Sequence, residues 1–261
     1  MTESSKETQI MKLLEIGSLA GDLMLKNGAE IYRVEDTVER IIRSRFSTKD
    51  VDVFATFNAM IYAFNVDGKI YSNVRRVKNR DNNLVVVDEV NSFSRRFCQG
   101  ELTIDQGLEE IEKIKEKHTT NKKTIQWIKI IGAGFASCSF NVIVNNKFSL
   151  VEFLVCFIVG FVSFFAFTKI KKKMYGYFLD NFFAGIVVAG LTIIINHFIK
   201  SFNYENVIIA SMMPYVPGFI ITNAIRDLMS GDSTTGLTGL SMAFLISAAL
   251  ALGVAIPIAL M

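Results

Sequence analysis

Asn223, Arg226 and Asp227 sit within about one helical turn of each other, in a stretch otherwise apolar enough to cross a membrane. Pro214, Pro217 and Gly218 stand just before them. Proline removes a backbone donor and clashes with the preceding turn, so a span over residues 207–229 should break near its middle. Irregular backbone at that depth survives only where protein or water covers it. Broken spans are also how transporters turn freed backbone groups toward a solute. The N-terminal end of a half-helix starting near Gly218 would favour an anion or a carboxylate. Asn223 and Asp227 lie at i, i+4, as do Thr222 and Arg226, so the four cover adjoining faces of one helix. The chemistry in prospect is recognition of a small charged solute. Pro217 and Gly218 would open the backbone, Thr222 and Asn223 would line the path, and Arg226 and Asp227 would bind solute charge or gate the mouth. The plainer alternative is a proline kink followed by a snorkelling Arg–Asp pair at the interface.

Other polar residues fall in apolar segments. Ser137, Ser139 and Asn141 follow the small residues Gly132, Ala133, Gly134 and Ala136. The serines fit close helix packing, and Asn141 is the one assigned to the solute path. Glu152 and Asp180 stand near helix starts and read as interfacial, as do Asn196 and His197 near a helix end. The last apolar segment carries Ser241, Ala243, Ser247, Ala248, Ala249, Ala251 and Gly253, a face suited to tight contact within the chain or with a partner.

The elements that must hold these residues divide the chain. Of 28 Lys and Arg and 25 Asp and Glu, residues 1–120 hold 18 and 20, a net charge of −2, which leaves +5 for residues 121–261. The expected architecture is an α-helical integral membrane domain, residues 121–261, preceded by a cytoplasmic α+β domain, residues 1–120. A spanning helix needs about 20 apolar residues, and five segments qualify: 125–144, 150–167, 182–199, 207–229 and 237–260. Lys122, Lys123 and Lys129 open the first, and Lys169, Lys171, Lys172 and Lys173 separate the second from the third. Lys147 and Lys200 are the sparse charges of the opposite connections. The asymmetry places the N-terminal domain inside and the C-terminus outside a bacterial plasma membrane. Trp127 suits an interfacial anchor. The N-terminal residues are polar, then amphipathic, and do not read as a signal peptide.

In the first half, residues 10–26 repeat apolar side chains at helical spacing, and Gly28 interrupts them. A second helix follows, with Ile31, Val34, Val38, Ile41 and Ile42 on one stripe and Glu30, Arg33, Thr37 and Arg40 beside it; Glu30 and Arg33 can pair at i, i+3. Residues 51–57 alternate, and Asp67-Gly68 between two further strands signals a hairpin. Asp81 is expected to cap a helix ending before Gly100, and Thr103 with Gln106 to form a capping box for a helix through Lys117. His118, at the end of that charged helix, reads as solvated. No phosphate loop, zinc-protease motif or nucleophile elbow occurs, so no catalytic set, cofactor or metal is expected. Cys98, Cys138 and Cys156 lack paired spacing and read as free thiols. The small net charge gives no reason to invoke nucleic acid.

Two segments together resemble a known family. Gly28, Ala29, Glu30, Arg33, Val34 and Glu35 resemble a helix-start motif of the threonine/serine exporter (ThrE-like) family. Pro217, Gly218, Asn223, Arg226, Asp227, Leu228, Gly231 and Asp232 resemble its second motif. The length resembles the family's short YjjP-type members. The resemblance implies export of threonine, serine or a dicarboxylate such as succinate, within a hetero-oligomer with a small all-membrane YjjB-type subunit. Gradient coupling fits the lack of a nucleotide motif. A regulatory or assembly subunit is the alternative, with Glu30 and Arg33 on a docking surface.

Overall fold

The computed structural model describes residues 3–77, 81–120, 122–145, 148–171 and 176–261. The chain forms two compact units. One comprises Met1–Asn121 with Thr222–Gly239, and the other Lys122–Ile221 with Leu240–Met261.

The first unit runs α1 (Glu3–Lys26), α2 (Ile31–Arg43), β1 (Lys49–Ala55), β2 (Ala59–Val66), β3 (Lys69–Arg76), α3 (Leu84–Cys98) and α4 (Ile104–Thr120). This is the α-α-β-β-β-α-α order that the sequence suggests. α1 begins earlier than its apolar repeat. Its polar first turns are held by side chains of the β2–β3 hairpin: Lys6 pairs with Asp67, and Glu7 with Lys69 at 2.8 Å. Asp67 and Gly68 both take positive φ, 52° and 82°, as a two-residue hairpin with the native strand twist requires. The sheet is antiparallel in the order β1-β2-β3. On β2, Met60, Tyr62, Phe64 and Val66 alternate into a core shared with α1, α2 and α3. On the opposite face Phe54, Ile61 and Val74 stand in register across the three strands and are exposed.

Two expectations in this unit are corrected. α3 begins at Leu84, not at an Asp81 cap. The Asp81 N–H donates instead to the Lys26 carbonyl at 2.7 Å, pinning this segment to the end of α1. His118 is not solvated: its side chain is 15% exposed and lies 2.9 Å from Glu89 of α3, which Lys117 also reaches. The Thr103 capping box forms as expected. Thr103 N–H donates to Gln106 Oε1 at 2.9 Å, and Gln106 N–H to Thr103 Oγ1 at 3.2 Å.

The second unit contains α5 (Lys122–Asn145), α6 (Leu150–Lys171), α7 (Tyr177–Phe198), α8 (Tyr204–Met212), a 3-10 turn (Met213–Tyr215), the first turn of α9 (Gly218–Met229) and most of α10 (Ser233–Ala259). Among the described residues, four helices are long and apolar enough to cross a membrane: Ile125–Asn145, Leu150–Lys171, Tyr177–Phe198 and Ser233–Ala259. A bent pair, Tyr204–Tyr215 and Gly218–Met229 at 54°, is together long and apolar enough for a broken span or a re-entrant loop. The expected span 207–229 is therefore two helices, and it starts earlier. α7 also starts before residue 182. Asp180 and Asn181 lie in its opening turns at 7% and 6% exposure, so Asp180 is near a helix start as expected and is packed against protein. Small residues set the packing: a Cβ at Gly160 of α6 would overlap Ser137 Oγ of α5. Trp127 stacks on Phe165 with ring centroids 5.9 Å apart. The side chains of Lys122 and Lys123, and Lys147, Lys172 and Lys173 entirely, lie outside the described residues.

Candidate functional site

α1 ends as Gly28 turns to φ 89°, a left-handed conformation that glycine adopts without a Cβ penalty. The chain then extends through Glu30 into α2. Glu30 occupies the N-cap position but makes no side-chain cap bond. Its cap comes from far along the sequence: the Ile31 N–H donates to Asp227 Oδ1 of α9 at 3.4 Å. A carboxylate there also suits the positive end of the helix dipole.

The rest of the Asn223–Asp227 stretch docks on the same turn. Asn223 Nδ2 donates to the Gly28 carbonyl at 3.0 Å. Arg226 pairs with Glu30 Oε1, while Arg33 approaches Glu30 Oε2 at 3.3 Å. Glu30 is 9% exposed at its side chain, and each arginine is 50% exposed. The Glu30 carboxylate is thus held between two guanidiniums whose remaining donors reach toward solvent. That arrangement can take a carboxylate without stripping either arginine of its partner. Asn223, Arg226 and Asp227 of the second motif thus meet Gly28, Glu30 and Arg33 of the first, almost two hundred residues away, inside one unit.

Glu35 is one turn further along α2. Its Oε1 accepts from the Ala55 N–H of β1 at 2.8 Å. Burial raises its pKa above the ordinary carboxylate value; the Ala55 N–H works against this, and the charges of Asp232, Asp227 and Glu39 add to it. Burial also raises Asp232, which the sequence reading named only within a motif. An acid whose native pKa is raised binds its proton more tightly folded than unfolded. Its stabilising contribution is present near the unfolded value of 4.5 and is lost as pH rises through the native pKa. Glu35→Gln keeps an oxygen for Ala55 and removes the charge. The variant is expected to be more stable than wild type at neutral pH and to show a shallower loss of stability above pH 4.5, measured by urea denaturation at several pH values. Equal slopes would remove Glu35 from the site's electrostatics.

The other assigned residues lie elsewhere. Thr222 is exposed, at the start of the α9 segment that belongs to the first unit. Pro217 and Gly218 form the break, where the Gly218 N–H reaches the Val216 carbonyl at 2.8 Å and α9 starts afresh. Asn141 is 1% exposed in the second unit, where its Nδ2 donates to Glu152 at 3.1 Å. Glu152, in the first turn of α6 as expected, is bonded by Asn145 and the Asn203 N–H as well. Sequence reasoning missed this set. The i, i+4 spacing of Asn141 and Asn145 on one face of a span was the available signal.

A model of the threonine/serine exporter family, ThrE, matches residues 15–261. A Klebsiella aerogenes protein named "Probable succinate transporter subunit YjjP" is 22% identical over 235 residues, covering 88% of this chain and 87% of its own. No solved structure matches.

Proposed function

We propose that this chain, which belongs to the threonine/serine exporter family, is one subunit of a gradient-driven exporter of small amino acids or small carboxylates. The supporting observation is the Arg33–Glu30–Arg226 cluster, built from both motifs and joined through Asn223 and Asp227 to the broken span. Two half-exposed guanidiniums suit the carboxylate shared by threonine, serine and succinate. Glu30, Glu35, Asp227 and Asp232 supply the negative charge that would receive an amino acid's ammonium group. In this reading the cluster is the cytoplasmic entrance. The N-terminal unit lies in the cytoplasm, and the Pro217-Gly218 break yields when solute passes. The relative's name, a transporter subunit, supports a second component, and a small all-membrane YjjB-type protein is the partner proposed.

The test is efflux. Vesicles containing this chain and its partner are loaded in turn with radiolabelled threonine, serine and succinate. Stimulated efflux of at least one, lost without either subunit, is expected. No stimulated efflux of any of the three would defeat the substrate class.

A second reading is favoured by the exposed row Phe54, Ile61 and Val74 on the open sheet face. Apolar surface of that kind fits a docking partner, and the subunit would then regulate or assemble the transporter. Replacing the three with Thr separates the readings. Lost co-purification of the partner supports the docking role, and intact co-purification rejects it.

A further inference from the structure

We propose that Glu152 is the proton-binding residue of the transport cycle, and that its protonation loosens the hold of α5 and α6 on the α7–α8 connection. The proposal rests on the exporter reading and names the ion that reading leaves open.

Glu152 lies in the first turn of α6, and the described groups that bond its carboxylate are all donors. Oε2 accepts from Asn141 Nδ2 at 3.1 Å and Asn145 Nδ2 at 2.8 Å, and Oε1 accepts from the Asn203 N–H at 3.2 Å. The amide orientations are mutually fixed. Asn145 Nδ2 also donates to Asn141 Oδ1 at 3.1 Å, and Asn145 Oδ1 accepts from Asn206 Nδ2 at 2.6 Å. The chain of bonds therefore runs in one direction, from Asn206 of α8 through α5 to Glu152 of α6.

That polarity suits an ionised carboxylate, which is acceptor only. A protonated carboxyl is neutral, so the N–H bonds it accepts lose their charge assistance and hold about half as strongly. The bound proton takes Glu152 from one negative charge to none, and no covalent bond other than the new O–H changes. Three segments are affected: α5 through Asn141 and Asn145, the α7–α8 connection through Asn203, and α8 through Asn206.

Protons have a route. Glu152 borders an open cleft of about 610 Å³ lined also by Lys200, Ser201, Phe202, Asn203, Tyr204 and Glu205. Lys200, Tyr204 and Glu205 are the titratable groups facing it from the α7–α8 side, and Cys156 stands one turn along α6. From α5 the described groups at this carboxylate are amides. Sodium fits less well, because a hard cation needs several oxygens. Here the side-chain oxygens of Asn141 and Asn145 already accept amide N–H bonds.

The reporter is Val207→Cys, a near-isosteric change at a fully buried α8 position beside Asn206. The full-length chain is labelled in membranes with a membrane-impermeant maleimide across a pH series, and each rate is divided by that of the same chain carrying Glu152→Gln. The division cancels the thiol's own titration, and a chain without the reporter gives the background. Gln brings an N–H where the proton would bring an O–H. The wild-type rate is expected to lie about tenfold below the Gln rate at alkaline pH, the effect of hydrogen bonds to a charged group, and to meet it at acid pH. Asn145→Ala removes one donor to the ionised form and should raise the labelling rate at alkaline pH toward its acid value, which keeps the test open if Glu152→Gln fails to fold. A constant ratio, or an alkaline rate that Asn145→Ala leaves unchanged, overturns the proposal. In vesicles, Glu152→Gln should retain solute-for-solute exchange and lose acceleration by a pH gradient, with Glu152→Asp restoring it. Acceleration by sodium instead of protons also overturns it. Wild-type vesicles that move no solute would defeat the exporter reading, while the labelling series would still decide the fate of Glu152.

Discussion

Arg226→Ala is expected to destabilise the chain by about 1–3 kcal/mol and to stop solute movement. The Glu30 side chain is 9% exposed, and its two oxygens are divided between Arg226 and Arg33. Removing Arg226 leaves a largely buried carboxylate with one weaker partner, and the desolvation already incurred is no longer offset. A fully buried pair broken this way costs about 3–5 kcal/mol. Arg226 is 50% exposed, so solvent screening brings the figure down. A double-mutant cycle isolates the contact. In a Glu30→Gln background, Arg226→Ala should cost at least about 1 kcal/mol less than in wild type. Arg40→Ala is the control. Its pair with Asp36 joins side chains 67% and 50% exposed, and losing such an i, i+4 pair costs about 0.5 kcal/mol or less. Thermal unfolding of the detergent-solubilised chain, followed by circular dichroism, measures all of these. Equal losses for Arg226→Ala and Arg40→Ala, with no coupling in the cycle, would mean that the cluster is an ordinary surface pair.

The Glu30–Arg33 half of this cluster is readable from the sequence, because two residues at i, i+3 on a helix start can hardly avoid each other. The hairpin at Asp67-Gly68 and the Thr103 capping box are legible for the same reason: backbone conformation and a few nearby atoms decide them. The spans are legible from hydropathy, since the bilayer sets their length. The Arg226–Glu30 contact is of another kind. Arg226 alone fits a snorkelling anchor as well as a solute contact, and only the fold shows that Glu30 meets it. Asp227 acting as the cap of α2 has no local trace at all, because a cap is normally sought immediately before its helix. The partners of Glu152 were hidden for a related reason. A carboxylate in a first turn is an ordinary helix-start residue until three asparagines from other segments or turns are found around it. His118 failed likewise through Glu89, 29 residues away.

Short-range chemistry thus identifies the residues, while the consequence of each depends on which helices lie side by side. In the second unit that adjacency is set by glycines. A Cβ at Gly253 of α10 would overlap the Phe182 carbonyl of α7, and one at Gly185 of α7 would stand 2.6 Å from the Leu250 carbonyl and 3.1 Å from Gly253 Cα. The atoms in the way are backbone, so no rotamer change relieves them, and the helices must separate. Spreading a packed pair forfeits dispersion contacts along its length, and overpacking of this sort costs about 1–3 kcal/mol. Gly253→Ala is therefore expected to destabilise the chain by about that amount and to lower transport with it. Gly190, on the same α7, has no atom within 4 Å of an added Cβ. There Ala only gains helix propensity, so Gly190→Ala should be neutral or stabilising by up to about 1 kcal/mol. The two variants carry the same chemical change in the same membrane-spanning unit, and they differ in what the new methyl group meets. Matching melting temperatures for the pair would show that α7 and α10 do not rely on this contact. The predicted divergence would establish that α10 is held by close backbone approach rather than by a greasy face alone.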